Sequence, residues 1–216
     1  GAWNQTKFPG GIKPLVDRLH ARGFRVGIYT SASERACGGN WGSHGHERAD
    51  AAAFATWGID WVKIDDCNYG TVSQLIENQR AISLAMQSSG RPMIIQMGGF
   101  VMPSLFNPHA QPRQDYTNQP DQAPWIWGPN ISHMWYTGPD KGNEWASTLR
   151  NVMINNQGSF YARPGQWNFA GDLWCGTPQS NVPGVYMPNT MGETEERATY
   201  AMWVISAAPL MLVGMP

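Results

Sequence analysis

Apolar positions recur along the chain with two alternating periods. Ile12, Leu15, Val16 and Leu19 share one helical face, and Gly23 follows where a helix would stop. Phe24–Thr30 is short and rich in strand formers, so it reads as a strand. The order then repeats. A glycine-rich loop over Cys37–Gly45 leads to an Ala-rich helix, His46–Trp57, stopped by Gly58. Ile59–Asp65 reads as a strand, Val72–Ser88 as a helix ended by Gly90, and Pro92–Met97 as a strand. A Pro/Asn/Gln-rich stretch, Pro103–Asn130, reads as a long loop. Beyond it the pattern predicts a short strand at Ser132–Tyr136, a helix at Glu144–Gln157 and a weak strand at Phe160–Arg163. A helix at Glu193–Ala207, with Ala198, Ala201, Met202 and Ile205 on one face, precedes a last strand at Leu210–Val213.

Helices alternating with strands across short glycine-bearing joints argue for an α/β protein with a parallel sheet. An open doubly wound sheet and a closed barrel both fit that order. The dinucleotide fingerprint GxGxxG and the phosphate-binding GxxxxGK[ST] loop are both absent, which disfavours the nucleotide-binding sheet. The expected fold class is therefore a (β/α)8 TIM barrel. At 216 residues the chain falls short of the ~250 such a barrel usually needs.

Composition narrows the function classes. Lys+Arg 15 against Asp+Glu 16 leaves a net charge of -1, which offers no electrostatic footprint for nucleic acid or an anionic membrane surface. The longest apolar region, near Ala201–Val213, is interrupted by Ser206 and Pro209 and falls short of the ~20 residues of a membrane span. Cys37, Cys67 and Cys175 fit no zinc spacing, and three reduced thiols or one bridged pair are both open readings. His44 and His46 lack a third ligand at metal-site spacing, so no metal and no cofactor is expected.

Barrel enzymes place their chemistry at the C-terminal ends of strands. The densest candidate there is Trp61-Val62-Lys63-Ile64-Asp65-Asp66-Cys67. Alternation in a strand puts Trp61, Lys63 and Asp65 on one face and Val62 and Ile64 on the other. The apolar pair suits the layer against the helices, so Lys63 and Asp65 face the interior near the mouth. An ammonium beside a carboxylate favours the ionised form, and an ionised, positioned carboxylate is what a glycosidase nucleophile requires. A solvated Lys–Asp pair at a strand end is the plainer alternative. Asp66, adjacent to Asp65, should point elsewhere.

The segment Lys63-Ile64-Asp65-Asp66-Cys67 resembles the K-x-D-x-C signature of family 27 glycoside hydrolases, the α-galactosidase or melibiase family. The likeness continues along most of the chain. Phe8–Leu15 and Gly23–Tyr29 are similar to the family's segments around its third strand. Ala36-Cys37-Gly38-Gly39 and Gly42-Ser43 resemble its C-x-G-x-P-G-S loop, and Asp50–Gly58 resembles its D-x-x-x-F-A-x-W-G helix. Trp167-Asn168 and Met202–Leu212 resemble W-N-D-P-D-M and A-x-W-x-I-x-A-A-P-L. The resemblance implies that Asp65 is the nucleophile of a retaining double displacement. It implies that Asp140, five residues before Trp145, is the general acid/base. Retention asks for carboxyl groups ~5–5.5 Å apart. Tyr29 and Lys63 match sugar-contacting positions. Cys37 and Cys67 match an active-site disulfide, which places the protein in an oxidising, secreted or extracytoplasmic setting. Cys175 then stays unpaired.

The departures from the pattern matter as well. Tyr136 stands where the family has an arginine four residues before the acid/base, and Met97-Gly98-Gly99 stands where α-galactosidases read C-E-W. The W-N-D-P-D-M loop is one residue longer, which makes Asp172 the matching binding residue. Trp125 and Trp127 have the chemistry to stack on sugar faces or simply to pack. These differences make an α-glucan-active relative, isomaltodextranase being the example, a second expectation beside the α-galactosidase. A non-catalytic carbohydrate-binding barrel is a third, disfavoured because both carboxylates are present. The match begins after the family's second strand, so residues 1–216 read as a partial catalytic domain. It would lack the first two strands and the C-terminal β domain of a larger secreted enzyme. The expected partner is a carbohydrate substrate, with no nucleic acid or membrane, and the oligomeric state is not predicted.

Overall fold

The computed structural model describes residues 3–65, 67, 70–98, 122–174 and 191–213. Helices and strands alternate: α1 Lys13–His20, β1 Gly27–Ser31, α2 Glu47–Trp57, β2 Trp61–Asp65, α3 Val72–Gln87 and β3 Ile94–Met97. They are followed by α4 Pro124–Trp127, β4 Met134–Tyr136, α5 Trp145–Gln157, β5 Trp167–Phe169 and α6 Glu193–Ile205. The chain forms two compact units, Gly1–Gly99 with Asn130–His133, and Phe100–Pro129 with Met134–Pro216.

In the first unit β2 lies between β1 and β3, parallel to both. The register sets Tyr29 beside Lys63 and Ser31 beside Asp65, and Lys63 beside Gln96 on the other flank. Val62 and Ile64 are fully buried, together with Val16, Leu75, Ile82 and Ile95. Trp61, Lys63 and Asp65 are half-buried, so the alternation expected from the sequence holds. Gly23, Gly58 and Gly90, which close the three helical segments, all take positive φ between +80° and +84°. Thr71 and Gln74 form a reciprocal capping box that starts α3.

The lower ends of these strands are tied together by one carboxylate. Asp60 Oδ2 accepts from the Val26 amide at 2.9 Å and meets His20 Nε2 at 2.7 Å. Its Oδ1 takes a 2.8 Å bond from Arg91, whose guanidinium also donates to the carbonyls of Gly58 and Ile59. One side chain thus joins the end of α1 and the starts of β1, β2 and β3.

In the second unit β4 and β5 pair in parallel, with Trp135 beside Asn168 and the Trp135 indole donating to Asn168 Oδ1 at 2.8 Å. Ala170, Leu173, Trp203 and Ala208 form a core cluster, with Val152 and Met202 packed against it. Leu173 makes a parallel bridge to Leu212, which is what the last predicted strand becomes.

Three sequence readings need correction. Phe160–Arg163 is no strand: Ser159–Tyr161 is a single 3-10 turn, and Phe160 is 98% exposed. The strand lies a few residues on, at Trp167–Phe169, where Asn168 and Phe169 are buried. The first strand begins at Gly27 rather than Phe24, whose ring is exposed. The inward face of α6 centres on Thr199 and Trp203, with Ala198 and Met202 of the predicted stripe half-buried beside them and Ala201 and Ile205 exposed. The Trp203 indole donates to the Gly171 carbonyl at 2.8 Å and Thr199 meets Thr148, while Ile205 is 85% exposed.

The Asp60 cluster carries a pH signature. Burial pushes the carboxyl up, but the Val26 amide, His20 and Arg91 outweigh it, and the net value lies below the ordinary 3.8. A depressed carboxylate stabilises the fold above its unfolded pKa, and that contribution is lost as pH falls through the folded value. Asp60→Asn should therefore lower stability at pH 7 by about 2–4 kcal/mol and flatten the acid limb, read from urea unfolding across pH 2–7. An unchanged acid limb would show that the cluster does not set it.

Candidate active site

β2 ends in a candidate nucleophile that several neighbours fix. The Tyr29 hydroxyl, from β1, donates to Asp65 Oδ2 at 2.9 Å and lies 3.7 Å from Cys67 Sγ. Lys63 Nζ sits 6.0 Å from the centre of the Tyr29 ring. Both contacts follow from the parallel register, which sets β1 and β2 residues of one face side by side. The backbone is fixed too. The Asp65 carbonyl accepts from the Ala32 amide at 2.8 Å and from Ser31 Oγ at 3.3 Å. Behind the strand end, the buried Gln79 of α3 donates to the Gly98 carbonyl at 3.2 Å and reaches that of Asp65 at 3.5 Å.

Cys37 and Cys67 form a disulfide, with Cα atoms 5.0 Å apart. It fastens the loop after β1 to the segment after β2. Cys37 Sγ lies 3.8 Å from Asp65 Oδ2. A bridged sulfur has no proton to give, so this is a packing contact that limits where the carboxylate turns. The sulfur atoms and the Asp65 carboxylate are the one group of metal-type ligand atoms gathered among the described residues. A disulfide offers no thiolate, so the donor set does not fit a metal. His44 instead meets Glu47 at 3.8 Å.

The second unit presents Asp140 on the loop after β4, exposed to solvent. That loop is held from α5 by three side chains of one helical face, at i, i+3 and i+4. Ser147 Oγ accepts from the Gly142 amide at 2.7 Å. Arg150 donates to the Asp140 carbonyl at 3.2 Å and to Ser147 Oγ at 3.0 Å. Burial lowers the pKa of this guanidinium, opposed by the nearby Glu144 carboxylate. Asn151, fully buried, donates through Nδ2 to the carbonyls of Pro139, at 2.6 Å, and Ala170, at 2.7 Å. It thereby joins the Asp140 loop to the loop that carries half-buried Asp172. Tyr136, at the family's arginine position, is buried and stacks edge-on against Phe169 with centroids 4.6 Å apart.

Several sequence candidates fall elsewhere. Trp125 and Trp127 are buried, Trp127 donating to the Gln122 carbonyl, so neither presents a face to a sugar. Asp66, Gly99, Cys175 and most of the Pro103–Asn130 loop lie outside the described residues. Reading the sequence missed Gln96, Gln79, Arg150 and Asn151. Gln96 had a usable signal: a lone polar residue in an apolar strand, at the position that pairs with Lys63. Asn151 had none, since an asparagine within a helix is ordinary until the loops it joins are in place.

A family model described as alpha galactosidase A (Melibiase_2) matches residues 2–214. Alpha-galactosidase A of Cellvibrio japonicus is 31% identical over 96% of this chain and 46% of its own length. The Cyamopsis tetragonoloba alpha-galactosidase is 30% identical over 97% of this chain and 44% of its own. Among solved structures, alpha-galactosidase I of Mortierella vinacea superposes with a TM-score of 0.73 at 27% identity, covering 97% of this chain and 51% of that one. The chain thus spans about half the length of the relatives it matches. Among the described residues no helix is long and apolar enough to cross a membrane.

Two outcomes follow. Non-reducing digestion and mass spectrometry should recover Cys37 and Cys67 in one linked peptide pair; separate, alkylated peptides would refute the bridge. Asn151→Ala strands two buried carbonyls and should cost about 2–4 kcal/mol, measured by thermal unfolding. A loss under about 0.5 kcal/mol would mean that the two loops do not depend on it.

Proposed function

The chain belongs to the melibiase family of family 27 glycoside hydrolases, with part of the (β/α)8 barrel fold of those enzymes, and from that premise we propose that it is the catalytic part of a retaining α-galactosidase. The observation that carries the reading is Asp65 at the C-terminal end of β2, its Oδ2 held by the Tyr29 hydroxyl. Such a carboxylate is oriented before substrate arrives, so little motion is spent in reaching the anomeric carbon. The substrate is a carbohydrate with a terminal α-linked galactose.

In the proposed reaction Asp65 attacks the anomeric carbon as Asp140 gives its proton to the leaving oxygen. The glycosyl ester on Asp65 is then opened by water, from which Asp140 takes a proton. Two inversions leave the α configuration. Lys63, Tyr29 and Asp172 contact the sugar in this scheme, and the Cys37–Cys67 bridge walls the site beside Asp65. The disulfide also supports a secreted or extracytoplasmic setting.

One observation favours a second reading. Tyr136 is buried against Phe169 and offers no cation to the sugar, unlike the arginine of the family pattern. A pocket changed there suits an α-glucan-active relative acting on glucose units.

The test uses the full-length protein with p-nitrophenyl α-galactoside and isomaltose. Asp65→Asn and Asp140→Asn should each lower kcat by about 10³-fold or more on whichever of the two substrates the wild type hydrolyses. Azide should rescue Asp140→Gly as the α-galactosyl azide and Asp65→Gly as the β anomer. Unchanged hydrolysis in both Asn variants overturns the catalytic assignment. Hydrolysis of isomaltose but not of the galactoside decides for the second reading.

A further inference from the structure

The loop between β1 and α2 carries a feature that the reaction scheme leaves unused. Arg35 and Trp41 face each other across a small antiparallel hairpin. Amides at its base and tip close it: Ala36 donates to Asn40 O, Gly39 to Ala36 O and Gly42 to Glu34 O, each at 2.8 Å. The chain passes so close to the end of β1 at Gly42 that a Cβ there would run into the Ser33 carbonyl. Cys37, at the turn, is locked by the disulfide to Cys67 and touches the Asp65 carboxylate.

On this rigid hairpin the Arg35 guanidinium lies 3.4 Å over the centre of the Trp41 ring. Trp41 is nonetheless 75% exposed. One indole face is covered by the cation, so the exposure belongs to the other face. A large apolar plane held open to water by a cation on its back is a stacking platform rather than a core residue that missed its core. Trp41 also stands at the proline position of the C-x-G-x-P-G-S pattern, so it is a feature of this chain.

Arg35 lines a cavity of about 340 Å³ as well, together with Ser33, Glu34, His44, Gln74 and Asn78. Its wall is rich in hydrogen-bonding groups and includes both charge signs, which suits a neutral polyhydroxylated ligand. Trp41 is four residues from Cys37, so its Cα lies within about 14 Å of the Cα of the residue that touches Asp65. That is the reach of sugar units following the one held at the nucleophile.

We propose that the Arg35–Trp41 hairpin and its adjoining cavity bind the leaving-group side of an oligosaccharide α-galactoside, with Trp41 stacking on a sugar ring. This rests on the α-galactosidase reading above. It makes the protein selective for glycosides extended beyond the cleaved bond.

In the full-length protein, kcat/KM is measured on raffinose, which has sucrose on the leaving side, and on α-galactosyl fluoride, which has no sugar there. Trp41→Ala should lower the raffinose-to-fluoride ratio about tenfold, and Trp41→Phe should restore most of it. Titration with sucrose should change the intrinsic tryptophan fluorescence of the wild type, and that change should be absent in Trp41→Phe. An unchanged ratio, or a sucrose response that persists in Trp41→Phe, overturns the subsite while the α-galactosidase reading stands. A wild type that hydrolyses neither substrate sinks that reading instead, and the sucrose titration then decides the subsite alone.

Discussion

The register of β2 between its two parallel neighbours is the constraint on which the first unit depends. Val62 and Ile64 fill the layer against the helices, and burial of that pair sends Lys63 and Asp65 to the opposite face. A slip of one residue would bury a lysine and an aspartate among Leu75, Ile82 and Ile95 and expose two aliphatic side chains. Neither half of that exchange is affordable for a domain whose net stability is small. Asp60 pins the start of the same strand, through Val26, His20 and Arg91, so the register is held at both ends.

Everything at the site's first half follows from that register. Tyr29 meets Asp65 because β1 and β2 run parallel with Ser31 beside Asp65. The disulfide closes over the same carboxylate because the loops that follow these two strands emerge side by side. Support from behind comes from Gln79, whose amide binds the carbonyl of Gly98 at the end of β3. The hairpin bearing Arg35 and Trp41 is tied to the same strand ends through the Cys37–Cys67 bridge.

The second unit reaches a comparable result by other means. Asp140 sits on a loop four residues past the end of β4, and α5 supplies the order. Ser147, Arg150 and Asn151 lie on one helical face and hold the loop by its backbone. Asn151 serves two loops at once, so the placement of Asp140 and that of Asp172 are linked through one buried amide. The departure at Tyr136 is accommodated by the aromatic contact with Phe169, which replaces a charge by packing.

Much of this was legible from residue pattern alone. The alternation along Trp61–Asp65 and the glycine stops at Gly23, Gly58 and Gly90 are local, and local rules read them correctly, while the K-x-D-x-C segment was legible as a family resemblance. Patterns failed where partners came from far along the chain. The inward face of α6 was decided by Gly171 and Thr148, which offer hydrogen bonds to Trp203 and Thr199; apolar spacing had pointed to another stripe. Trp125 and Trp127 carry the same chemistry whether they stack on sugar or pack inside, and only burial separates the two. The sequence by itself singled out the candidate side chains for the chemistry, because periodicity and motif are properties of neighbours. Tertiary structure alone decided which groups hold those side chains, because a hydrogen bond between Asn151 and Ala170, or a platform backed by Arg35, exists only once distant backbone is brought together.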